Sequence, residues 1–204
     1  MKQFIQSIYQ LTNWIMSLVY MNLLWAVFTL LGGVVLGILP STVTLYAISK
    51  KWIQGDYNFK LHQEFWKHYK YVFLTSNKLI LIVLPLILIA FINLLFIVEQ
   101  GAFQLVHLPF WGISFLVGMT LLYIIPTYNT FDLPLLGILK NALFIMLISP
   151  IQNLLLLLSL GSLLVIYYFI PGIAFFFNVS VFAWLNTFFV MDATKQVLVK
   201  KQSV

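Results

Sequence analysis

The chain has 204 residues, of which 62% are hydrophobic and only 8% charged. A water-soluble domain carries roughly 25% charged residues, so this composition could not clothe a globule in water and leaves an integral membrane protein. The net charge of +6 sits on lysines that flank apolar runs, which points to anionic lipid headgroups and not to nucleic acid; cysteine is absent, which removes disulfides, thiolate metal sites and a cysteine nucleophile.

The apolar runs are long and unbroken, not alternating, which argues against a transmembrane barrel. In lipid every backbone polar group must then pair within its own segment, as in a helix. At about 20 residues per span, the expected fold is all-α. It is a polytopic transmembrane helical bundle of about five spans forming one integral membrane domain over 1–204, with an amphipathic helix at the cytoplasmic interface. That length leaves no room for a soluble catalytic domain. The first residues lack a short apolar core ending in a small-residue cleavage site, so the first apolar segment is expected to remain in the protein.

Residues 1–13 read as a helical lead-in, with Phe4, Ile5, Ile8 and Leu11 at helical spacing. The first span is expected over about 14–39, long enough to demand a tilt or a break. Gly33 and Gly37 near its end form a GxxxG pair that allows close helix packing, or are merely tolerated at a lipid-facing helix end. Alternatively, residues 14–49 form a hairpin of two short passes. Pro40 or Ser41 can open a short helix that Gly55-Asp56 closes.

Residues 60–76 carry Leu61, Phe65, Tyr69, Val72 and Phe73 on one helical stripe, with Lys60, Gln63, Glu64, Lys67 and Lys70 mainly opposite. This pattern predicts an interfacial helix. Phe65, Trp66 and Tyr69 would sit at the headgroups, and Lys60, Lys67 and Lys70 would reach to water and to anionic lipid of the cytoplasmic leaflet. Glu64 can pair with Lys67 or His68 along the helix. A surface helix docked on the protein's own loops would show the same pattern.

Further spans are expected at about 79–98, 110–125, 151–169 and 173–191, the fourth broken from its lead-in at Pro150. Before it, Asp132 resembles an N-cap with Pro134 in the first turn of a helix that carries Lys140 and Asn141. Flanked by helix breakers, this segment is a candidate partner-docking helix through Asp132, Lys140 and Asn141. With five spans and the 50–78 segment cytoplasmic, ten lysines lie inside, which places the N-terminus outside and the C-terminus in the cytoplasm. The hairpin alternative returns the N-terminus to the cytoplasm and puts all eleven lysines there.

Little chemistry is visible. The spans contain Asn22, Asn93, Gln152, Asn153, Asn178 and Asn186, amides suited to cross-helix hydrogen bonds or to a substrate path. Glu99 and Asp192 lie at span ends, where water can reach them. His62 and His68 are six residues apart and face different ways on a helix, and His107 falls in a distant loop, so no metal site is expected. Neither a GxSxG elbow nor a GxxxxGK[ST] loop occurs. No cofactor is expected, and the protein is read as a non-enzyme.

The stretches MNLLWAVFTLLGGVVLGILPSTVTLYAISKKWIQGD, FWKHYKYVF and FDLPLLGILKNALFIMLISP resemble, in order, the YesL family of predicted bacterial integral membrane proteins. The resemblance covers about Tyr20 to Met191. It implies an uncharacterised membrane protein, mostly of Gram-positive bacteria, whose relatives often occur beside carbohydrate-uptake and carbohydrate-degradation functions. It assigns no functional residue. The expected role is a non-enzymatic accessory or regulatory partner of transporter subunits; the alternative is a small transporter or channel with a polar path between broken helices.

Overall fold

A computed structural model describes residues 2–99 and 108–202, with side chains from 12 to 98 and from 108 to 198. His107 and the carboxylate of Glu99 lie outside the described residues. The elements are helices: α1 (Lys2–Leu31), α2 (Val35–Ile53), α3 (Leu61–Asn77), α4 (Ile80–Glu99), α5 (Leu108–Tyr128), α6 (Leu135–Ile148), α7 (Pro150–Phe169) and α8 (Pro171–Gln202). Five stretches are long and apolar enough to cross a membrane: Thr12–Leu31, Ile80–Val98, Leu108–Tyr128, Pro150–Phe169 and Pro171–Leu198. The protein is an all-α, polytopic membrane protein.

The first of these stretches ends earlier than its composition predicts. Helix α1 stops at Leu31, not near residue 39, because Gly33 (φ 74°) and Val34 (φ 59°) turn the chain back. The Val35 N–H donates to the Gly33 carbonyl at 2.7 Å across Val34, whose ψ is −69°, closing a positive-φ γ-turn. Glycine enters that region freely, whereas a β-branched valine there is strained by about 1–3 kcal/mol. Pro40 therefore lies inside α2 and does not open it.

The chain divides into two compact units, Met1–Phe73 with Leu156–Phe188, and Leu74–Leu155 with Phe189–Val204. In the first unit, α1 and α2 pack as an antiparallel hairpin. The Trp25 indole donates to the Thr42 hydroxyl at 3.0 Å, and nearer the turn Gly37 lies against the Thr29 carbonyl. Helix α8 also runs antiparallel to α1. Trp14 meets Trp184 edge-on at 5.4 Å, while further along α1 the Asn22 amide donates to the Phe175 carbonyl at 3.1 Å. The Trp14 end of α1, the Lys50–Lys51 end of α2 and the Phe188 end of α8 thus share one end of this unit. Helix α2 contributes most to its interior, with Leu39, Val43, Leu45, Tyr46 and Ile48 buried.

In the second unit α4 and α5 form an antiparallel hairpin. The Asn93 amide donates to the Phe110 carbonyl (2.9 Å) and to the Ser114 hydroxyl (3.0 Å), and Phe96 packs on Phe110 at 4.9 Å. Helix α6 folds back on α5, burying Ile138, Ala142, Ile145 and Met146 at helical spacing. Pro134, extended at φ −62° and ψ 157°, is the residue that precedes α6, and no side chain caps the helix. Asp132 is thus not the N-cap, and Pro134 lies just outside the first turn.

Candidate functional site

The first unit concentrates its charged chemistry where α3 lies against α2 and α1. The ion pair Lys51–Glu64 ties the end of α2 to the start of α3. Further along, the Thr44 hydroxyl and His68 Nδ1 share a hydrogen bond at 3.2 Å. Next, the Tyr69 hydroxyl donates to the Phe28 carbonyl of α1 at 3.1 Å. Going from Glu64 to His68 the partners on α2 go from Lys51 back to Thr44, so α3 runs antiparallel to α2.

Packing fixes this arrangement. Phe28 stacks on Phe65 at 5.0 Å and contacts Tyr69 at 5.1 Å and Trp66 at 5.5 Å. Phe65 and Tyr69 are buried. They do not lie open to the headgroups as the amphipathic pattern suggested; both pack against Phe28 of α1. Lys60, Trp66, Lys67 and Lys70 remain on the outer face, where the Lys70 ammonium sits 4.8 Å from the Trp66 ring.

Electrostatics follow from the geometry. The hydrogen bond from Lys51 is the main cause holding the Glu64 carboxyl below the usual carboxylate range, assisted by the positive charges of Lys51, Lys67 and His68. Burial is the main cause lowering His68, and the Lys51 charge adds to it while Glu64 opposes. The site around His68 thus disfavours the charged imidazolium. Lys51 also lies 5.4 Å from the centre of the Phe59 ring.

Tight packing at the hairpin turn involves Gly32 and Gly37, not Gly33 and Gly37. A Cβ on Gly32 would strike Gly37 Cα and the Tyr69 hydroxyl; one on Gly37 would strike the Thr29 carbonyl. Gly33 has open space around its missing Cβ and supplies the positive φ instead.

In the second unit a polar node sits at the break between α6 and α7. The buried Tyr123 hydroxyl donates to Asn153 Oδ1 at 2.5 Å, and Asn153 Nδ2 donates to the Met146 carbonyl at 2.7 Å. Gln152 donates to Asp192 at 3.4 Å, which also accepts from Gln196 at 3.2 Å. Asp132 and Lys140 are exposed and Asn141 is half-buried. The outer face of α6 carries Leu136, Lys140, Phe144 and Leu147.

Sequence reasoning did not find Lys51, Gly32, Tyr46 or Tyr123. Tyr46 is buried in α2 and accepts a hydrogen bond from Asn186 of α8 at 3.0 Å. Each is defined by a partner on another helix, which local spacing does not reveal. Among the described residues, no group of three or more His, Cys, Asp or Glu is arranged to hold a metal ion.

A family profile described as "Protein of unknown function, DUF624" matches residues 18–94, which run from α1 to α4. The uncharacterized protein YteU of Bacillus subtilis (strain 168) is 35% identical over 178 residues, covering 85% of this chain and 79% of YteU. YesL of the same organism is 28% identical over 175 residues (86% of this chain, 83% of YesL), and YesV is 28% identical over 181 residues (87% and 86%). No solved structure is significantly similar. The resemblance to YesL is thus borne out over most of the chain, and the protein belongs to the DUF624 family of proteins of unknown function.

Proposed function

We propose that this protein is a non-enzymatic membrane partner that assembles with, or regulates, a transport system in a Gram-positive cell membrane. The family resemblance points to carbohydrate uptake as the transport class. The observation that carries the proposal is the use of the span amides. Asn22, Asn93, Asn153 and Asn186 all hydrogen-bond to another helix or to the carbonyl that ends one. Amides used in this way hold helices together, each contributing about 1 kcal/mol, which is a packing role. The exposed lysines of α3 supply a basic face toward anionic lipid of the cytoplasmic leaflet or toward an acidic partner loop.

The hairpin bears on orientation. With α1, α2 and α8 arranged as described, the N-terminal end of α1 and the outgoing end of α8 belong on one side, and α2 counts as a return pass. The positive-inside rule then puts all eleven lysines in the cytoplasm. This favours a cytoplasmic N-terminus over the external one that five spans imply.

Affinity purification of the full tagged chain from mildly solubilised native membranes tests the function. Co-purification of transporter subunits at near-equal amounts is expected. A monodisperse, partner-free protein would contradict it. A transporter reading draws on the buried node of Tyr123, Asn153 and Gln152 at the α6–α7 break; solute flux through the purified protein in liposomes would establish that instead.

A further inference from the structure

One span amide stands apart from the others. Asn178 of α8 is exposed, and its side-chain amide makes no hydrogen bond among the described residues. It lies seven residues beyond Pro171 in α8, about 10 Å along the helix at 1.5 Å per residue. That depth is inside a hydrocarbon core about 30 Å thick. Lipid offers no hydrogen-bond partner there, so an outward amide at this depth asks for a protein surface that supplies both a donor and an acceptor.

The flanking residues define the face. Phe175, one turn back, is 77% exposed, and Phe182, one turn on, is half-buried. The result is an apolar ridge with a single amide in it. We propose that this face of α8 is the contact surface for a second copy of the chain, with Asn178 of each copy paired to the other. The occupant follows from the chemistry of the amide. A carboxamide carries one donor group and one acceptor, so across a two-fold axis it is complementary to itself, and a two-fold contact brings each residue near its own equivalent. No charged residue lies on the ridge to select a partner of opposite charge: Phe175, Asn178, Phe182 and Leu185 succeed one another along it.

The chain contains no cysteine, so a single introduced thiol reports cleanly. Phe182→Cys, which keeps Asn178, is oxidised in native membranes and run without reductant. A disulfide-linked dimer of the chain is expected. Phe176→Cys, exposed and two residues before Asn178, and so nearly half a turn around the helix from that amide, should give at least about tenfold less. Adding Asn178→Leu to Phe182→Cys should reduce the dimer about tenfold, and Asn178→Gln should restore part of it. Leucine suits lipid, so a single sharp elution peak for Asn178→Leu separates lost pairing from lost folding. Equal cross-linking with leucine at 178, no cross-linking of the Phe182→Cys variant, or cross-linking of its thiol to a different protein would each overturn the proposal.

Discussion

Replacing Gly37 by alanine probes the hairpin directly. The added methyl would overlap the Thr29 carbonyl oxygen and meet Gly32 Cα and the Thr29 carbonyl carbon at 3.0 Å. All three are backbone atoms, so no rotamer change relieves the clash, and α2 must move away from α1 by about an ångström. Overpacking of this kind costs about 1–3 kcal/mol, and the rigid neighbours place Gly37→Ala near the upper end. The Trp25–Thr42 hydrogen bond, further along the same contact, is stretched as well. Gly33→Ala serves as the comparison. Its methyl meets nothing, and only the positive φ opposes it, a cost of about 1–2 kcal/mol. For a chain of this size each kcal/mol moves the melting temperature by about 2–4 °C. Thermal unfolding in detergent, followed by tryptophan fluorescence, should show Gly37→Ala falling by about 6–12 °C and Gly33→Ala by about 2–8 °C, with the larger loss at 37 in the same preparation. Equal losses would return the glycines to a simple GxxxG reading, and a tolerated Gly37→Ala would refute close packing of α1 on α2 at Gly37 altogether.

Other expectations follow from the same geometry. Val34→Gly removes a side chain from a positive-φ position and should raise the melting temperature by about 2–4 °C, the equivalent of about 1 kcal/mol of relieved strain; an unchanged or lower value would mean that the turn carries no strain. Acid should loosen α3 from α2. Folded His68 sits below its ordinary 6.5, so the unfolded chain takes up that proton first and stability falls as pH drops through 6.5. Glu64, also depressed, adds stability above its ordinary 4.5 that is lost as pH falls further. Hydrogen exchange of α3 amides should therefore quicken between about pH 7.5 and 5.5, after correction for the intrinsic pH dependence of exchange, and His68→Asn should remove most of that change. Asn93→Leu should cost about 0.6–1.7 kcal/mol through the α4–α5 hairpin, read as an earlier detergent-unfolding midpoint.

Much of this molecule is legible in the order of its residues. The four later spans announce themselves as apolar runs bounded by Pro126, Pro150 and Pro171-Gly172, and the stripe Phe65, Tyr69, Val72 marks α3 as a helix. What the stripe faces is not legible, because an apolar face suits lipid and a neighbouring helix equally. The reversal at Gly33-Val34 is hidden for a related reason. Both arms of the hairpin are apolar, and the second turn residue is a valine that local preference would place in a strand or helix. The Lys51–Glu64 pair joins residues thirteen apart on different helices, beyond the reach of any i,i+4 rule. Side-chain amides were visible as a set, but only the fold separates the five that bond to other helices, Asn22, Asn93, Gln152, Asn153 and Asn186, from Asn178, which does not.

The most direct test of the hairpin topology is the sidedness of the two ends. Gln3→Cys and Gln202→Cys, made separately in the cysteine-free chain, are treated with a membrane-impermeant maleimide in intact cells and in inside-out vesicles. A hairpin of α1 and α2 requires both thiols to label only in the inside-out vesicles. Labelling of the Gln3→Cys variant in intact cells, with the Gln202→Cys variant protected there, would place the ends on opposite sides and contradict α2 as a return pass.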